Sequence, residues 1–196
     1  TVPSLGIFRN RFGTMIFSSD GLWQACLVAF WFWAFASHHS LDAVLLFNVS
    51  WFGSAFLFFS VLGDQAMCWL VPKKTPRVWY NKVKGATMFL GGINSSLSLL
   101  SLLVLRAIGD GFFAKQKERE ILFASFAVGH FSQFIINVPC FLVSKGLIDG
   151  KKLNSVLKKA NMKWQELEWV KPDTTMLFIF IIDGFGFAAN VYVMSQ

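Results

Sequence analysis

Residues 120–145 read EILFASFAVGHFSQFIINVPCFLVSK, and no Asp, Glu, Lys or Arg interrupts the run between Glu120 and Lys145. A helix rises ~1.5 Å per residue, so ~20 apolar residues cross the ~30 Å hydrocarbon core of a bilayer. This run is long enough. Near its middle stands His130, followed by Gln133 and Asn137. The spacing i, i+3, i+7 puts all three on one helix face. An imidazole and two carboxamides at membrane depth are costly unless they find partners, so they are the first candidates for a functional site.

Four further runs of the same character lie outward from this stretch. With it they predict an all-α integral membrane protein of five transmembrane helices, over about 21–37, 41–62, 86–105, 120–142 and 175–194, as a single membrane domain over 1–196. Pro72 and Pro76 close the second run, because proline lacks the N–H that a helix interior needs. Pro139 should bend the fourth run or free the carbonyl of Ile135. Between the fourth and fifth runs the chain turns polar and basic. Leu153, Val156, Leu157, Ala160, Trp164 and Leu167 recur there every three or four residues, with Lys151, Lys152, Lys158, Lys159 and Lys163 mostly off that line. This pattern predicts an amphipathic surface helix over about 151–169, touching anionic lipid or a partner.

Composition agrees. Of 196 residues, 55% are hydrophobic and only 15% charged, with 23 Phe and 8 Trp. A soluble domain carries about 25% charged residues. The net charge of +7 does not imply nucleic acid, since no basic–aromatic tract suits it. The basic pieces are the N-terminal arm, the 73–84 loop and the 146–173 segment, and with five spans they all fall on one side. By the positive-inside rule the N-terminus then faces the cytosol, matrix or stroma and the C-terminus the opposite side. Cys26, Cys68 and Cys140 lie in or beside apolar runs without metal or disulfide spacing and read as small buried hydrophobes. The start at Thr1 reads as that of a processed or truncated chain, which suits an organelle inner membrane or a thylakoid.

Depth counting adds two residues to the candidate site. Measured from the basic side, Asn94, His130 and Asp183 each lie roughly 12–15 Å into the membrane. The three form a candidate mid-membrane polar cluster. Asp183 weighs most, since an ionisable side chain at the bilayer centre costs about 2.5–3.5 kcal/mol on insertion scales. Three readings compete. The first is structural: Asp183 is protonated or hydrogen-bonded to His130, Asn94 or a serine and holds helices together. In the second, His130, with Gln133 or Asn137, binds an apolar cofactor such as chlorophyll or another tetrapyrrole through its metal, beside carotenoid or lipid. In the third, Asp183 and His130 relay protons or bind substrate.

No nucleophile elbow, HExxH, P-loop or paired-carboxylate motif is present. The small-residue pairs Gly92/Ser96, Ser125/Gly129 and Gly184/Ala188 suit close helix contacts. One local pattern, Arg106 near a helix end followed by Gly129-His130-Phe131 and a further polar residue, resembles the sterol-biosynthesis scaffold family of small ER membrane proteins over about a fifth of the chain. Gln133 or Phe134 stands where that family has an acidic residue. The reading that fits all of this is a non-catalytic accessory or scaffold subunit of a multi-subunit energy-converting membrane complex, photosynthetic or respiratory, with other membrane subunits and lipids as partners. The alternatives are a lipid- or sterol-pathway scaffold or small membrane enzyme, and a proton-coupled transporter.

Overall fold

A computed structural model of the protein describes residues 21–63, 77–144, 146–159 and 174–196. The described residues are all-helical, without a strand. Helices α1 (Leu22–Ser37), α2 (Ser40–Phe56), α3 (Arg77–Gly109), α4 (Gln116–Ser144), α5 (Gly150–Lys159) and α6 (Thr174–Met194) follow in order. Helices are the element type that the apolar runs and the amphipathic segment predict. The helix α3 starts at Arg77 rather than near residue 86. Hydropathy marks the apolar part of a helix, whereas its backbone continues through RVWYNKVK because no Gly or Pro breaks that stretch. Of the predicted 151–169 segment, residues 160–169 lie outside the described residues, as does Lys163.

Two helical stretches, Ser40–Val61 and Lys84–Gly109, are long and apolar enough to cross a membrane by length and composition among the described residues. Leu22–Ser37 and Phe178–Met194 are apolar but shorter. The helix α4 runs on through Pro139 to Ser144.

Packing divides the chain into two compact units, the first ending at Lys115 and the second running from Gln116 to Gln196. In the first unit α2 lies between α1 and α3. His38 and His39 form the exposed turn that joins α1 to α2. Trp31 anchors α1, its indole Nε1 donating to Ser50 Oγ at 2.7 Å and its ring lying 4.9 Å from that of Phe47. The antiparallel α2–α3 contact is built from small and hydroxylated residues. Ser98 Oγ donates to Val49 O at 2.8 Å, and Gly53 leaves the room for it. At its end α2 widens into a π-helical turn, Leu57–Val61, closed by Leu62 N–H to Leu57 O at 2.9 Å. That turn carries Ser60 onto α3, where its Oγ donates to Met88 O at 3.2 Å.

Gly91 is what admits Ser60. A Cβ at position 91 would collide with Ser60 Oγ and lie 3.0 Å from its backbone nitrogen, whereas one at Gly92 would meet nothing within 4 Å. The close approach is therefore one residue away from the predicted Gly92/Ser96 pair. Ser96 is exposed, as are Ser125 and Ala188 of the other two pairs. Adjacent glycines make a clean comparison. Gly91→Ala should destabilise the chain by about 1–3 kcal/mol through overpacking. Gly92→Ala should be neutral or stabilise it by up to about 0.5–1 kcal/mol through helix propensity. Unfolding midpoints of the two purified variants check this.

Cys26 corrects a prediction: it is a free, exposed thiol on α1 rather than a buried hydrophobe. Cys68 and the side chain of Cys140 lie outside the described residues.

Candidate functional site in the second unit

Helices α4 and α6 form the core of the second unit, packed antiparallel along most of their length. Each buries one stripe. On α4 it comprises Phe123, Phe126, Ala127 and His130, and on α6 Asp183, Gly186, Asn190 and Val193. The spacings are i, i+3, i+4, i+7 and i, i+3, i+7, i+10, as one face of a helix requires. Phe134 stacks on Phe180 at 4.7 Å, and Phe131 sits 5.3 Å from Phe187, so rings flank the polar pair.

Within these stripes His130 and Asp183 meet. The imidazole Nδ1 lies 3.3 Å from Asp183 Oδ1, and both side chains are 0% exposed. This is longer than the roughly 2.7–2.9 Å of a tight charge-assisted bond. Which of the two groups donates depends on the imidazole tautomer.

The ring lies directly against the backbone of α6. A Cβ built at Gly186 would be 2.6 Å from both His130 Nδ1 and Cε1, and 2.8 Å from Cγ. Gly186 therefore forms the floor of the imidazole's site. Farther along, Asn190 Nδ2 donates to Gly186 O at 2.8 Å, closing a polar line on α6.

Of the sequence-predicted site residues, His130 and Asp183 come together. Gln133 is half-buried on α4, and the side chain of Asn137 lies outside the described residues. Asn94 belongs to the first unit, where it is buried and its Nδ2 donates to Leu90 O at 2.9 Å. Lys151 and Lys152 are exposed on α5, and the side chains of Lys158 and Lys159 lie outside the described residues. No group of three or more His, Cys, Asp and Glu able to hold a metal ion occurs among the described residues. Gly186 was missed as a site residue. Its only sequence signal is its place in Asp183-x-x-Gly186-x-x-x-Asn190, on the face already marked by the two polar residues. No protein family, curated protein or solved structure matches the chain.

Proposed function

We propose that the chain is an integral membrane protein of five spans, α1, α2, α3, α4 and α6, acting as a non-catalytic accessory or scaffold subunit of a larger membrane assembly. The observation that carries the membrane reading is the inversion of amphipathicity on α3. Among its described side chains the buried positions are Thr87, Gly91, Asn94, Ser101 and Val104, while Phe89 (72% exposed), Leu99, Leu102 and Leu103 face outward. Water would penalise that arrangement, but lipid does not distinguish apolar residues outside from apolar residues inside. Small and hydroxylated residues then belong between helices, where backbones approach and hydrogen bonds form. The same inversion recurs on α6, with Asp183, Gly186 and Asn190 buried and Ile181, Phe185 and Val191 exposed. Charge supports the remaining spans, since α4 carries no Asp, Glu, Lys or Arg from Ile121 to Ser144 and α1 carries none. The three basic segments lie on one side under this count, which puts the N-terminus on the matrix, stroma or cytosol side.

The accessory role is supported by the extent of exposed apolar surface, which lipid and neighbouring subunits can both cover, and by the lack of a catalytic motif in the sequence. An energy-converting complex of an organelle inner or thylakoid membrane is the assembly proposed. Alkaline carbonate extraction of native membranes should leave the chain in the pellet, and mild-detergent native gels should place it in a complex well above its monomer mass. Release into the carbonate supernatant would overturn the membrane reading, and a stable native monomer would overturn the accessory reading. An absorption spectrum of that complex tests pigment: a red or Soret band lost in His130→Leu assigns His130 as an axial ligand.

A second reading rests on the His130–Asp183 contact. A buried imidazole–carboxylate pair is also the equipment of a small membrane enzyme, of a lipid- or sterol-pathway scaffold, or of a proton-coupled transporter. Transport or lipid turnover by the purified, reconstituted chain, abolished in Asp183→Asn, would favour it.

A further inference from the structure

The short helix α5 is strongly basic. Its sequence, GKKLNSVLKK, holds four lysines and no acidic residue. On a helix, positions 153, 156 and 157 share one side, and positions 151, 158 and 159 fall opposite. Lys151 and Lys152 are exposed, and α5 packs extensively against neither α4 nor α6. Its start is firmly built: Gly146 takes a left-handed φ of 68°, and Asp149 Oδ1 caps the helix by accepting from Lys151 N–H at 2.8 Å. The carboxylate at the start of the helix, Asp149, is thus engaged with the backbone. Between the turn and the cap, Leu147 (69% exposed) and Ile148 stand outward beside the basic helix. Two exposed aliphatic residues next to four lysines, directly after a helix that ends in an apolar run, match the layering of a membrane boundary, with acyl chains below and phosphates above.

We propose that Gly146–Lys159 is a binding site for anionic phospholipid headgroups. Leu147 and Ile148 enter the acyl region, and Lys151 and Lys152 bind the phosphodiester charge. This rests on the membrane reading above. Charge complementarity selects the occupant, because an uncharged headgroup gives four lysines nothing to neutralise. Each lysine near an anionic surface contributes about fivefold in affinity.

The test uses the purified full chain in neutral detergent, with short-chain phosphatidylglycerol and phosphatidylcholine as probes and bound lipid counted by native mass spectrometry. Phosphatidylglycerol should bind at least tenfold more tightly than phosphatidylcholine. Lys151→Gln/Lys152→Gln should weaken it about 10- to 30-fold, and raised salt should do the same. Lys117→Gln, at an exposed lysine in the first turn of α4, should leave it unchanged. Equal binding of the two lipids, or anionic preference that survives the double variant, overturns the proposal. So does a double variant that keeps its lipid but loses a protein partner from the native complex, since α5 then serves an acidic protein face. Carbonate extraction of the same variants separates the two levels. A chain that stays in the membrane without anionic preference refutes only the lipid site, whereas a chain released from it refutes the membrane reading.

Discussion

His130→Leu should destabilise the protein by about 2–3 kcal/mol, while His130→Leu/Asp183→Leu should recover most of that loss. Removing the imidazole takes one partner from a fully buried carboxyl and sets an aliphatic chain beside it. Breaking a buried pair from one side costs about 3–5 kcal/mol when the remaining charge stays. Polar contacts between membrane helices are weaker, averaging about 0.6 and reaching about 1.7 kcal/mol in measured cycles. The 3.3 Å Nδ1–Oδ1 separation is long for a charged pair, so the expected loss lies between these limits. Asp183→Asn keeps the shape and removes the charge, and should cost about 1–2 kcal/mol. Replacing both partners by apolar residues removes the desolvation problem along with the bond, which is why the double variant should approach the original stability. Unfolding of the detergent-solubilised chain, monitored by tryptophan fluorescence against a denaturing detergent, gives the four corners of the cycle. Strictly additive losses would show that the two groups do not act as a pair. A folded double variant also separates the two functional readings: a structural staple predicts that the native assembly survives in it, while a relay or substrate site predicts a stable protein without activity.

Much of this was legible before any coordinates. The helices follow from apolar runs, because a helix rises a fixed distance per residue and the segments between runs are polar, from the His38-His39 turn to the charged and Pro- or Gly-containing loops. The meeting of His130 with Asp183 follows from the same arithmetic: residues counted to equal depth on two antiparallel helices are neighbours if their faces are turned together. Rotation is what the sequence does not record. Gly91 and Gly92 are equally small, and only the phase of α2 against α3 decides that Gly91 admits Ser60 while Gly92 faces open space. Cys26 looked buried because its run is apolar, yet the inverted pattern that exposes Phe89 and Leu103 exposes it too. An apolar neighbourhood does not by itself predict burial. Depth counting likewise could not say that the amide of Asn94 bonds its own helix at Leu90.

Gly186→Ala should cost about 1–2 kcal/mol and loosen the α4–α6 pair, although alanine is the better helix former. Two effects oppose each other. Alanine for glycine inside a helix gains roughly 0.5–1 kcal/mol. Against this, the new methyl would lie 2.6 Å from two atoms of the His130 ring, which is itself buried and held at Nδ1 by Asp183. Overpacking of that kind costs about 1–3 kcal/mol, and the ring has no exposed side toward which to yield. Gly184→Ala is the internal control. Its methyl would meet only the edge of the Phe134 ring, at 3.2 and 3.3 Å, a contact relieved by a shift of a few tenths of an ångström. The helix gain should then cancel the crowding, leaving stability within about 0.5 kcal/mol of the original. The decisive comparison is His130→Ala/Gly186→Ala. With the imidazole gone, the methyl at position 186 enters space the ring vacated, so the double variant should be more stable than the sum of the single losses predicts, by about 1 kcal/mol or more. Additivity would mean that something other than His130 forbids a side chain there, and Gly186 would lose its place as the floor of the site.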